Sequence, residues 1–155
     1  MGNLTEHFGI EELTRSEYAL RNGLDNTPDP EVIANLFALC NNVLEPLRTI
    51  LGVPIHINSG YRSPVVNRGI GGAATSQHQD GLAADLIVPG KQNIRVVRTL
   101  HIEGIPYDQL IYEFGEEGWV HVSWTFDERR HQILRAFAGP TGKTMYEPFD
   151  PWKPV

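Results

Sequence analysis

A single cysteine, Cys40, stands in a chain of 155 residues, so no disulfide can close within it and no cysteine-rich zinc site can be built. Any metal centre has to be made of His, Asp and Glu. No apolar run is long enough to span a membrane. Lysine and arginine number 13 against 19 aspartate and glutamate, a net charge of -6, and no basic cluster offers a local exception. That balance argues against nucleic acid or an anionic membrane surface as a partner. The opening Met1-Gly2-Asn3-Leu4-Thr5-Glu6-His7 is polar and acidic, without the apolar segment of a secretory signal. It also lacks the Ser or Thr at position 6 that myristoylation requires.

What is present suits one soluble domain: 41% hydrophobic and 21% charged residues, enough to bury a core unaided. Residues 8–24 suggest one or two short helices closed by Gly23, with Thr14 and Ser16 as caps. Asp29 as N-cap and Pro30 at the first helical position open the strongest helix, with Val32, Leu36, Leu39, Cys40, Val43, Leu47 and Ile50 at helical spacing. Pro46 is expected to kink or restart it. Strands are expected at 54–58, 84–88, 110–113, 119–124 and 133–137, with a helix around Ile94, Val97 and Leu100. From Gly139 onward four prolines and no periodicity predict a tail laid over the surface. Helices first and strands clustered later imply an α+β fold with an antiparallel or mixed sheet. It is read as a single domain: a mainly helical part over 1–53, a core carrying the site over 54–138, and the tail over 139–155.

The chemistry centres on Ser76-Gln77-His78-Gln79-Asp80-Gly81-Leu82-Ala83-Ala84-Asp85-Leu86. Gly81 and the β-leaning Leu86-Ile87-Val88 favour a loop feeding a strand, so that Asp85 is fixed by the strand and His78 reaches it from the loop. Of the six histidines, His121 stands out because it alternates with Trp119 and Ser123 on one strand face, opposite Val120 and Val122. His78, Asp85 and His121 together offer three nitrogen or oxygen ligands and leave a fourth position open, the pattern of a catalytic zinc. A base is then needed, and Glu113 and Glu117 are the candidates. With a two-residue turn at Glu116-Glu117, Glu113 pairs with Val120 and faces away; a register one residue different turns it to the His121 face. Arg62, after Ser59-Gly60-Tyr61, stands where a guanidinium can clamp a carboxylate, or form a surface salt bridge.

Three motifs in order carry a resemblance: Ser59-Gly60-Tyr61-Arg62-Ser63; Ser76-Gln77-His78 through Gly81-Leu82-Ala83-Ala84-Asp85; and Asp108-Gln109-Leu110-Ile111-Tyr112-Glu113 followed by Trp119-Val120-His121-Val122-Ser123. Over residues 5–137 the chain resembles the zinc D-alanyl-D-alanine carboxypeptidase family of the hedgehog/DD-peptidase fold. The likeness is greatest to its phage and prophage branch, which includes peptidoglycan-cleaving endolysins. The resemblance implies that His78, Asp85 and His121 hold one zinc ion per chain on the sheet, that Arg62 positions a substrate carboxylate or peptide, and that Ser76 contacts substrate. Many members place an acid three residues before the second histidine, where this chain has Gly118. Glu113 is therefore the first choice of base and Glu117 the second.

These features lead us to expect a monomeric zinc metallopeptidase acting on peptidoglycan stem peptides, as a carboxypeptidase or an endopeptidase. It is expected to be made in the cytoplasm and to reach the wall after release. A non-catalytic zinc-containing wall-binding module or virion structural protein is the rival reading, kept open by Gly118. A third is that His78 and Asp85 share only a structural hydrogen bond.

Overall fold

The computed structural model describes residues 2–154. Two short helices, α1 (Ile10–Thr14) and α2 (Glu17–Asn22), lead the chain. Ser16 caps α2 by accepting from the Ala19 N–H, and Gly23 closes it in the left-handed conformation. Thr14 is not a cap; its hydroxyl donates back to the Ile10 carbonyl. Helix α3 (Pro30–Leu39) begins as its sequence predicts, the Asp29 carboxylate accepting from the Val32 N–H and Pro30 occupying the first turn.

Pro46 does not break the rod. Between α3 and α4 (Glu45–Leu51) lies one wide π turn, Cys40–Leu44, in which the Glu45 N–H donates to the Cys40 carbonyl. Helical hydrogen bonding restarts at Glu45, so Pro46 falls in a first turn, where its missing N–H leaves nothing unsatisfied.

The rest is a six-stranded mixed sheet with further helices: β1 (His56–Ser59), α5 (Pro64–Ile70), β2 (Ala83–Ile87), α6 (Asn93–Ile102), β3 (Gln109–Glu113), β4 (Trp119–Ser123), β5 (Gln132–Ala138) and β6 (Thr144–Pro148). The strand order is β1-β2-β4-β3-β5-β6. All neighbours are antiparallel except β3 and β5. The fold is thus α+β, and alternation along the strands gives the sheet two characters. Ala84, Leu86, Leu110, Tyr112, Val120 and Val122 are buried in one core with Leu36, Leu39, Val43, Leu44 and Leu47 of the α3–α4 rod and Val96, Val97 and Leu100 of α6. Each fully buried leucine or valine contributes about 1.5–3 kcal/mol relative to exposure. The residues that alternate with them along the strands, Asp85, Ile111, Glu113, Trp119 and His121, are left for the other face.

Within the surface tail expected from residue 139, residues 144–148 instead form strand β6, paired antiparallel with β5 from Leu134↔Pro148 to Ala138↔Thr144. Pro148 obscures that strand in the sequence, yet β6 is the last strand of the sheet, and an edge position tolerates a residue with no N–H to give. Among the described residues, no helix is long and apolar enough to cross a membrane.

Candidate metal centre

His78 lies in a short 3-10 turn, Gln77–Asp80, capped by the Ser76 hydroxyl, which accepts from the His78 N–H. Two further bonds lock the turn to the segment after β1: the Arg62 N–H donates to the His78 carbonyl, and His78 Nδ1 donates to the Gly60 carbonyl over 2.7 Å. Gly60 is required there because a Cβ would stand 2.3 Å from the Leu13 carbonyl oxygen. With Nδ1 committed as a donor, Nε2 is left as the ring's lone-pair nitrogen. That nitrogen is buried without a hydrogen-bond partner.

Asp85 and His121 stand directly opposite one another on β2 and β4. Asp85 Oδ1 lies 3.1 Å from His121 Nδ1 and 3.3 Å from His78 Nε2. Residues 78, 85 and 121 are all buried, and they are the group among the described residues whose donor atoms lie close enough together to hold a metal ion. Their spacing fits one: donors about 2.0 Å from a tetrahedral ion are separated from each other by about 3.3 Å. Burial alone would raise the Asp85 pKa, but the positive charge of His78 in its protonated form, and the hydrogen bond from His121, hold it well below the usual carboxylate range. The group is therefore ionised and ready to bind a cation.

The register that the sequence left open is settled by the loop 114–118. Glu113 pairs with Trp119, and Ile111 with His121, so Glu113 projects on the site face. Its carboxylate lies 3.9 Å from His121 Nδ1. Burial, and then the Asp85 charge, push the Glu113 pKa up to about 7, against the pull of His121 and Arg62. Glu117, by contrast, is exposed in the 3-10 turn Gly115–Glu117 and is absent from the lining of the cleft. Its neighbour Glu116 has a structural task, accepting from the backbone N–H groups of Asn93 and Ile94 at the start of α6 and from the Tyr112 hydroxyl.

These groups share a cleft of about 490 Å³ lined by His78, Asp85, His121, Glu113, Arg62 and Ser76. Arg62 Nε is buried without a hydrogen-bond partner, an arrangement that an arriving carboxylate would relieve. The structure thus brings together six of the seven residues singled out in the sequence and leaves Glu117 outside.

The lining also includes residues that the sequence does not single out, among them Arg130, Leu134 and Tyr146. Arg130 donates to both oxygens of the buried Asp108 and to the Gln77 side chain, whose amide also donates to Asp108. This network ties the turn carrying His78 to the start of β3. No local signal marks it, since Gln77 and Arg130 are 53 positions apart.

No curated protein matches this chain. A family model described as Peptidase M15 matches residues 6–123, a stretch that takes in the three donors, Glu113, Arg62 and the helices packed behind them. A match over well more than half of the sequence, ending at the last residue of the strand that carries His121, shows that the chain belongs to the peptidase M15 family.

Proposed function

We propose that this protein is a zinc peptidase that hydrolyses amide bonds in the stem peptides of bacterial peptidoglycan. The observation that carries the proposal is the convergence in one cleft of three metal donors, the half-buried Glu113 carboxylate and the Arg62 guanidinium. Two imidazoles and a carboxylate suit zinc, and three protein ligands are the number found where zinc is catalytic rather than structural. Held there, zinc supplies Lewis acidity that activates water near neutral pH and polarises an amide carbonyl.

The chain's own residues do the rest. Glu113 accepts the proton of the attacking water and passes it to the amide nitrogen as the C–N bond breaks. Arg62 pairs with a substrate carboxylate and so fixes which bond lies over the donors. The capped turn at Ser76 and the Gly60 carbonyl keep His78 in one tautomer and one orientation. The motif resemblance to phage and prophage members supports an endolysin-type role, in which the enzyme meets the wall at lysis.

The test is mass spectrometry of purified peptidoglycan fragments after incubation with the protein, with and without a zinc chelator. Chelator-sensitive release of free D-alanine identifies a carboxypeptidase, and cleaved stems or cross-links an endopeptidase. Unchanged fragment masses across several wall chemistries would sink the proposal in favour of a non-catalytic wall-binding module.

A further inference from the structure

Strand β6 lies outside the stretch shared with the family, yet one of its residues, Tyr146, lines the cleft. The sheet register explains how. Trp119 pairs with Glu113, Glu113 with Ala136, and Ala136 with Tyr146. Residues directly paired across neighbouring strands project to the same face, so these four form one row running from β4 to the edge of the sheet. Between Glu113 and Tyr146 stands only the methyl group of Ala136. The adjacent row contains Asp85, His121, Ile111 and Leu134. Tyr146 therefore lies in the row next to that of Asp85 and His121, two strands from Glu113 and three from His121.

The remaining surroundings orient it. Tyr146 is 54% exposed, so its ring is open to a ligand. Its hydroxyl nevertheless feels the site: burial first, and then the Glu113 and Asp85 charges, raise its pKa against the pull of Arg62. The strand beneath is held from its other face, where Arg135 is ion-paired with Glu147 and Phe149 stacks on Tyr112 at 5.3 Å. A tyrosine on a braced edge strand, lining the cleft, is a fixed feature of it.

We propose that Tyr146 contacts the substrate directly. Its ring, with Ile111 and Leu134, forms an apolar shelf for a small uncharged side chain next to the scissile bond, and its hydroxyl donates to a carbonyl oxygen of the peptide. The Arg62 bank of the cleft then takes the anionic part of the substrate and the β5–β6 bank the apolar part. This inference rests on the peptidase reading above and extends it to the choice of substrate.

The test compares wild type, Tyr146→Phe, Tyr146→Ala and Met145→Ala in steady-state cleavage and in calorimetric binding of soluble muropeptides, cross-linked and uncross-linked. Bound zinc is measured in each. Met145 occupies the other face of β6, paired with Phe137, and serves as the control. A contact made equally in the ground and transition states should appear in KM. Tyr146→Ala is expected to raise KM about 10- to 50-fold with kcat within about threefold, Tyr146→Phe to raise it about threefold, and Met145→Ala to match wild type. Zinc content should be the same in all four.

Wild-type KM in Tyr146→Ala, or a fall in kcat accompanied by loss of zinc, would overturn the inference while leaving the peptidase reading intact. If wild type binds muropeptides without cleaving them, the peptidase reading fails, and weaker binding by Tyr146→Ala still supports the contact. A wild type that neither cleaves nor binds overturns both.

Discussion

A Cβ on Gly118 would stand 1.8 Å from the carbonyl oxygen of Glu113, a separation at which no side chain can exist. Position 118 is where the motif resemblance leads one to expect an acid, and here glycine is what lets the β3–β4 loop close with Glu113 opposite Trp119. Glycine at position 118 and presentation of Glu113 on the site face are thus two aspects of one turn. Gly118→Ala is expected to destabilise the protein by about 2–4 kcal/mol, through backbone displacement or a slipped register. Urea denaturation measures it; a variant as stable as wild type would show that the loop is not under this constraint.

Glu113 and Glu117 should separate cleanly. Glu113→Gln keeps the shape and removes the proton acceptor, so kcat should fall about 10²–10⁴-fold with metal content unchanged. Glu117→Gln should stay within about twofold of wild type, because Glu117 is exposed and away from the cleft. The reverse pattern would move the base to the turn.

His78 holds its orientation through the Gly60 carbonyl, which depends on the close approach of Leu13. Substituting His78→Ala should abolish stoichiometric zinc, measured by elemental analysis after dialysis. Gly60→Ala leaves all three donors in place but should weaken zinc affinity by about 10- to 100-fold, the usual effect of disturbing a partner of a metal ligand. Full zinc content in His78→Ala would refute the proposed centre.

The Asp108 carboxylate, buried yet hydrogen-bonded by Arg130 and Gln77, gives the protein an acid-sensitive element. Burial acts to raise its pKa, but the bonds from Arg130 and Gln77 prevail and hold it below the ordinary carboxylate value. Because the folded-state pKa is the lower one, its stabilisation is fully present above the unfolded value of about 3.9 and is lost as pH falls through the folded value. Asp108→Asn should therefore cost about 1.5–3 kcal/mol at pH 7, and the difference from wild type should shrink below about pH 4. Denaturation at both pH values checks this; a gap independent of pH would remove the charge from the explanation.

Much of the site was legible because its signals are local. Asp29 and Pro30 announce α3 through hydrogen-bonding needs met within four residues. The alternation of Trp119, His121 and Ser123 against Val120 and Val122 follows from the two-residue period of a strand, whatever it pairs with. The donor types of His78, Asp85 and His121, with a single thiol in the whole chain, point to a metal before any coordinates exist.

Pairing between strands is another matter. Whether Glu113 meets Val120 or Trp119 is a shift of one residue, nearly neutral in local propensity, yet it moves the carboxylate from one face of the sheet to the other. Strand β6 was hidden for a related reason: a proline and a short alternation gain their meaning only from the hydrogen-bonding edge that β5 offers. The amino-acid sequence by itself determined the helical rod, the faces of the strands and the ligand chemistry, because helix and strand periods are properties of neighbouring residues. Only the tertiary structure decided which carboxylate faces the donors, that Arg62 and Tyr146 share their cleft, and that Arg130 reaches back across the chain to the His78 turn. Those contacts depend on registers and close approaches between segments far apart in the chain, where alternatives differ by a single residue and the packing of the whole domain selects one.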